Sequence, residues 1–205
     1  MKRIVSVALI IMILLSFGGC AGQKQGARDI VVLFTNDVHG ALSENIGYSG
    51  LAAYKKSVLA RTSNVVTVDC GDALQGTYQA AISKGELAID AMNIVGYDYA
   101  LFGNHEFDYG TERLYELLQK AKAQYLCCNV TYTGSGKSPL EFAKPYAIHD
   151  FGRTKVGFVG VSTPKTKRST SPVYFEENGK SVYDFCEDAV GYRYYYVDEI
   201  YYEHL

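Results

Sequence analysis

Three apolar runs, each ending in a polar loop, divide the first half of the chain. Ile30-Val31-Val32-Leu33-Phe34 leads into Thr35-Asn36-Asp37, Val65-Val66-Thr67-Val68 into Asp69-Cys70-Gly71-Asp72, and Tyr99-Ala100-Leu101-Phe102 into Gly103-Asn104-His105-Glu106. Continuous, β-branched apolar runs of this length predict strands buried on both faces. Helical patterns lie around them: Leu87, Ala91, Ile94 and Val95 share one face before Gly96, and Leu114, Leu117, Leu118 and Ala121 share another after Gly110-Thr111. Strand and helix in alternation predict an α/β fold with parallel strands and right-handed crossovers, which brings the C-terminal ends of the three strands to one edge of the sheet. Ligands of open α/β sheets bind at that edge. Further on, Pro145–Ile148 and Lys155–Val161 predict two more strands joined by a turn at Asp150–Arg153, and Ser181–Val190 predicts the start of a helix.

The pattern changes at both ends. Lys2 and Arg3 precede an apolar run from Ile4 to Leu15 broken by Ser6, then Ser16-Phe17-Gly18-Gly19-Cys20. A membrane span needs roughly 20 apolar residues, so residues 1–19 read as an export signal. Gly18-Gly19-Cys20 resembles a bacterial lipoprotein cleavage box, with Cys20 lipidated and Phe17 departing from the usual aliphatic residue; residues 20–28 then serve as a tether. This places the protein outside the cytoplasm, as a lipid-anchored cell-envelope protein or in the periplasm. At the other end, six of the last fifteen residues, 191–205, are tyrosine, and neither a helical nor an alternating period fits them.

Composition narrows the partners. With 205 residues, 48% hydrophobic and 20% charged, the chain can bury one domain core, and a formal charge of -2 gives no field for a nucleic-acid polymer. A small anion would need a local cation. Of five cysteines, Cys70, Cys127, Cys128 and Cys186 remain after Cys20, and no zinc-type spacing or disulfide framework is read from them.

The strand-end loops carry residues suited to such a cation. In an extended segment Asp37 and His39, two positions apart, project to the same side and reach one ion together. Gly71 lets the backbone approach closely beside Asp72, whose two carboxylate oxygens can bridge two cations about 3.5–4 Å apart. Asn104 offers a neutral amide oxygen to the second ion. His105, with Asp108 three residues on, has the makings of a general acid whose imidazolium a carboxylate stabilises; Asp108 is also placed to cap the following helix.

The pattern Asp37-x-His39, Gly71-Asp72, Gly103-Asn104-His105-Glu106 resembles the calcineurin-like metallophosphoesterases, and Asn104-His105-Glu106-Phe107-Asp108-Tyr109-Gly110 resembles their 5'-nucleotidase branch. Lys155–Pro164 resembles the family's strand leading into a threonine-proline turn. The resemblance covers roughly residues 30–190. It implies a four-layer αββα sandwich, here incomplete, two divalent metals such as Zn or Mn, and hydrolysis of nucleotide phosphomonoesters by a metal-activated water. Asp37, His39 and Asp72 would hold the first metal, Asp72 and Asn104 the second, and His105 with Asp108 would act on the leaving group. Cyclic nucleotides or nucleotide-sugars fit the same metal chemistry, and a non-catalytic surface lipoprotein is the competing class.

The family completes its site with histidines from later loops. After Asn104 this chain has His105, His149 and His204, none in such a context. The first site therefore has three of four expected protein ligands and the second two of four, and catalysis by this chain alone is expected to be weak. Residues 29–190 read as a partial metallophosphoesterase domain, and 191–205 as a tail produced by a break in the reading frame or a truncation near Val190. His149 reads as structural, and Lys165, Lys167 and Arg168 as a solvated basic loop.

Overall fold

A computed structural model describes residues 29–186. Along the chain, β1 (Val31–Thr35), α1 (Gly47–Leu59), β2 (Val65–Asp69), α2 (Tyr78–Ser83), α3 (Glu86–Val95), β3 (Tyr99–Leu101), α4 (Thr111–Leu118) and β4 (Gln124–Leu126) alternate as the apolar runs predict, with α1 and α2 added. They are followed by β5 (Val130–Tyr132), β6 (Ala143–Lys144), the pair β7 (Tyr146–Asp150) and β8 (Lys155–Val159), the one-turn α5 (Thr166–Ser169), and the short strands β9 (Glu176–Glu177), β10 (Lys180–Ser181) and β11 (Tyr183–Phe185). The fold is α/β: β1-β2-β3-β4-β6 form one parallel sheet in that order.

The register sorts the strand side chains into two rows. Thr35, Asp69, Ala100 and Tyr125 are neighbours across β1 to β4, and so are Phe34, Val68, Tyr99 and Gln124. Alternation along a strand sends these rows to opposite faces. Ala100 and Tyr125 join a core with Tyr48 and Leu51 of α1, Ile89 and Met92 of α3, and Leu114 and Leu117 of α4. Aromatic rings fill its centre: Phe102 stacks on Tyr125 at 5.0 Å, and Phe107 meets Phe175 edge-on at 5.3 Å. On the other face, Tyr99 receives the β7–β8 pair, with the Phe158 ring at 5.0 Å and His149 Nδ1 3.1 Å from the Tyr99 hydroxyl. His149 thus has a packing partner and a polar one, as its structural reading predicts.

Two sequence expectations change. The buried face of α3 is Ala88, Ile89, Met92 and Val95, whereas Leu87 and Ile94, expected inside, are exposed, Ile94 by 81%. The helix carries apolar residues nearly all round, so its period fits two faces and only packing selects one. The helix expected from Ser181 is instead β11, antiparallel to β5, with Tyr183 and Phe185 buried and Asp184 exposed between them. That alternation of period two is a strand pattern.

The β7–β8 turn falls at the expected place, with Gly152 N–H donating to Asp150 Oδ1 at 2.7 Å. Cys127 is buried, and Cys70, Cys127, Cys128 and Cys186 are free thiols. Lys165 and Arg168 are exposed and Lys167 half-buried, and the segment forms the one-turn α5 where a loop was expected. The export signal, Cys20 and its tether, residues 187–190 and the tyrosine-rich tail lie outside the described residues.

Candidate functional site

The C-terminal ends of β1, β2 and β3 open into three loops that are tied together by their own backbones. Asp37 N–H donates to Gly71 O at 3.1 Å, His39 N–H to Asp72 O at 2.8 Å and Gly40 N–H to Ala73 O at 2.9 Å. The first loop therefore follows the second past the end of the strand ladder. It does so in a bent form: Asp37, His39 and Asp72 take left-handed φ values of 53°, 51° and 57°. The extended arrangement expected for Asp37 and His39 is thus replaced by a turn, because Asp37 and His39 must follow the second loop as it curls over the sheet edge. Left-handed backbone costs a side-chain-bearing residue about 1–2 kcal/mol, and such strain tends to collect at functional sites.

The second and third loops touch even more closely. A Cβ added at Gly71, where φ is 97°, would lie 2.6 Å from Gly103 N, and one added at Gly103 would lie 2.2 Å from Asp72 Oδ1. Only glycine at both positions allows this approach. His105 N–H donates to Asp72 Oδ1 at 2.8 Å, so the Asp72 carboxylate sits where the loops meet. Asn104 precedes His105, half-buried, at the entry to a 3-10 turn over His105–Phe107.

Two imidazoles face this carboxylate. His39 Nδ1 lies 3.1 Å from the Gln75 carbonyl, which can only accept, so Nδ1 carries the proton and Nε2 keeps its lone pair for the site. His105 Nδ1 lies 2.6 Å from Asp108 Oδ2, and the two rings meet edge-on at 4.9 Å. Among the described residues, one group of histidine, cysteine or acidic side chains brings three donor atoms within 4.8 Å of one another: His39, Asp72 and His105. Asp37 stands at its margin, 3.9 Å from His39 Nε2, largely exposed and hydrogen-bonded by the Asn36 amide.

Burial of the His105 ring pulls its pKa down, but the hydrogen bond and charge of Asp108, with Asp72 and Glu106 behind, outweigh this and leave it raised. The cap of α4 is Gly110, so Asp108 serves the imidazole rather than the helix.

Sequence reasoning assigned no role to the residues beneath this group. Glu106 is buried, with Oε2 accepting from Asp72 N–H at 2.8 Å and Gly103 N–H at 2.6 Å, and Oε1 from Ala73 N–H at 2.7 Å. Burial raises its carboxyl, with the Asp69 charge adding, while the backbone donors of Asp72 and Ala73, which both oxygens accept only in the ionised form, oppose this. Asp69 is also buried; it accepts from Thr35 Oγ1 at 2.6 Å and Gly71 N–H at 3.0 Å, and burial raises it to about 6. Thr35 Oγ1 is in turn 2.9 Å from the Tyr97 hydroxyl. A signal for Asp69 existed in the run Val65–Asp69, where an acid continues an apolar strand; the depth of Glu106 leaves no such trace.

Residues 30–191 match the calcineurin-like phosphoesterase family. The chain belongs to this family. It is similar to the snake venom 5'-nucleotidase of Gloydius brevicauda, 33% identical over 162 residues that make up 72% of this chain and 28% of the relative. It is similar to the 5'-nucleotidase of Homo sapiens, 31% identical over 78% of this chain and 31% of the relative. Among solved structures, the NAD nucleotidase of Haemophilus influenzae superposes with a TM-score of 0.66 and 29% identity, over 78% of this chain and 30% of that one. The chain spans about 30% of the length of the curated relatives it matches.

Calcineurin-like phosphoesterases are hydrolases that use divalent metals. The His39, Asp72 and His105 group fits such an ion chemically, since imidazole nitrogen and carboxylate oxygen suit zinc and manganese. Ligand atoms sharing one tetrahedral ion at about 2.0–2.2 Å lie roughly 3.5 Å apart. His39 and Asp72, whose donor atoms lie within 4.8 Å of each other, would need only a small inward shift to hold one ion, with His105 beside it.

Proposed function

We propose that residues 29–190 form the metal-binding part of an exported phosphoesterase of the 5'-nucleotidase type, acting on nucleotide phosphomonoesters. The observation that carries this reading is the Asp72 carboxylate, held by His105 N–H at the junction of three strand-end loops and faced by two histidines whose Nδ1 atoms are already engaged. Asp37, His39 and Asp72 would hold one divalent cation, and Asp72 with Asn104 a second. Cations bound there would supply a Lewis acid for the phosphoryl group and lower the pKa of water to the neutral range.

The remaining chemistry falls to this chain's own side chains. A leaving alkoxide must take up a proton, and His105 Nε2 is the atom placed to give it. Asp108 on Nδ1 fixes the ring and would stabilise the imidazolium, which supports a proton carrier. Asp37 and Asp72 would bring two negative charges against four on two bound cations, and the surplus would draw in a phosphate dianion. The net charge of -2 is therefore no obstacle to an anionic substrate.

Phosphate release from AMP with added Mn²⁺ or Zn²⁺ tests the reading. Metal-dependent release, slow against full-length relatives and abolished in Asp72→Asn, is expected. Absence of bound Mn²⁺ at millimolar concentration would overturn it in favour of a non-catalytic lipoprotein. The likeness to an NAD nucleotidase favours one second reading, a phosphoanhydride substrate; release of nucleotide from NAD or a nucleotide-sugar, with AMP and 2',3'-cyclic AMP inert, would select it.

A further inference from the structure

The parallel pairing of β2 with β3 covers Val68 with Tyr99 and Asp69 with Ala100, and stops there. Beyond it, the loop carrying Asp72 and the turn carrying Asn104 and His105 run side by side without a ladder to set their separation. Beside the single bond from His105 N–H to the Asp72 carboxylate, one side chain takes on most of that task. Glu106 is only 1% exposed, and its two oxygens collect three backbone donors: Asp72 and Ala73 from the second loop, Gly103 from the third. A buried carboxylate is costly unless its lone pairs are satisfied, and here they are satisfied by the segments that must be kept together.

We propose that Glu106 is the positioning residue of the metal site: it clamps the Asp72 loop to the Asn104–His105 turn and so fixes the distance between the Asp72 carboxylate and the two imidazoles. The clamp works with Gly71 and Gly103, which permit the approach that Glu106 then holds. The short bond from His105 N–H to Asp72 Oδ1 is its direct product, since the same turn that places Gly103 N–H on Glu106 places His105 N–H on Asp72. Glu106 touches neither cation nor substrate in this role; it acts through Asp72 and His105. The inference rests on the metal-site reading above.

Glu106→Gln is the informative change. Its amide has one accepting oxygen, so whichever way it turns, an NH₂ group faces at least one of the backbone donors, and the clamp opens on that side. The variant should remain folded by circular dichroism, bind Mn²⁺ at least tenfold more weakly by calorimetry well below its melting temperature, and lose the ring-to-ring NOE between His39 and His105 in the metal-free protein. Leu114→Ala, a buried core truncation on α4 that removes none of the loop hydrogen bonds, should lower the melting temperature while leaving the Mn²⁺ affinity and that NOE in place. Should Glu106→Gln not fold, Glu106→Asp keeps the charge and shortens the reach, and the same two readouts apply. Retention of both Mn²⁺ affinity within twofold and the NOE would overturn the positioning role. Wild-type protein that binds no Mn²⁺ would sink the phosphoesterase reading by itself, and the NOE would still decide the clamp.

Discussion

At the scale of single residues, the site is built on groups held in costly states. Asp69 is raised to about 6 by burial, above the ordinary 3.8. A carboxyl raised in the folded state binds its proton more tightly there than in the unfolded chain, so metal-free stability should fall as pH rises from about 4 to 6. A shift of this size corresponds to about 3 kcal/mol. Asp69→Asn, which keeps an acceptor for Gly71 N–H and a donor for Thr35, should flatten that part of the profile; urea unfolding in EDTA between pH 4 and 7 measures it.

His105 shifts stability in the same sense at higher pH, for a different reason, since here a favourable partner and not burial sets the shift. Its raised pKa stabilises the fold below the unfolded value of about 6.5, and that contribution is lost as pH rises through the folded value. Asp108→Asn keeps an acceptor for Nδ1 but removes the negative charge beside it, so the His105 titration followed by NMR should move down. The alkaline limb of any phosphatase profile should move down with it.

At the scale of elements, the strands were legible because period and termination agree: apolar runs that stop at Asp37, Asp72 and Asn104 have few other readings. The face of α3 was not. Leu87, Ala91, Ile94 and Val95 satisfy a helical stripe as well as Ala88, Ile89, Met92 and Val95, and the second set won because it meets Tyr48 and Leu51 of α1 and Leu117 of α4 in one core. Ile89→Ala should therefore cost about 2–5 kcal/mol, against within about 0.5 kcal/mol for Ile94→Ala on the exposed side; denaturant midpoints of the two variants check the assignment. β11 shows the same limit differently. Its Tyr183 and Phe185 alternate, but three residues are too few to outweigh a helix reading until the β5 partner is known.

At the scale of the whole molecule, a calcineurin-like phosphoesterase domain occupies residues 30–191, and what flanks it is read from sequence alone. If Gly18-Gly19-Cys20 is a lipoprotein box, radiolabelled palmitate should enter the protein in a bacterial host, and Cys20→Ala should abolish the label and release the protein from the membrane fraction. Label that persists in the variant would remove the anchor from the proposal and leave a plain export signal. Nothing in the fold of residues 29–186 depends on the result.

The sequence by itself determined the α/β class and picked out Asp37, His39, Asp72, Asn104, His105 and Asp108 at the strand ends as the proposed site, because each is local: a run, its end, and the residues that follow. Tertiary structure alone decided how those loops meet. It turned Asp37 and His39 out of the extended form, set Asp72, His39 and His105 around one point with Asp37 at the margin, and put Glu106 and Asp69 beneath them. The reason is physical. Donor-to-donor distances of a few ångströms across 33 residues of sequence depend on backbone hydrogen bonds and burial, and both arise only when separate segments pack together.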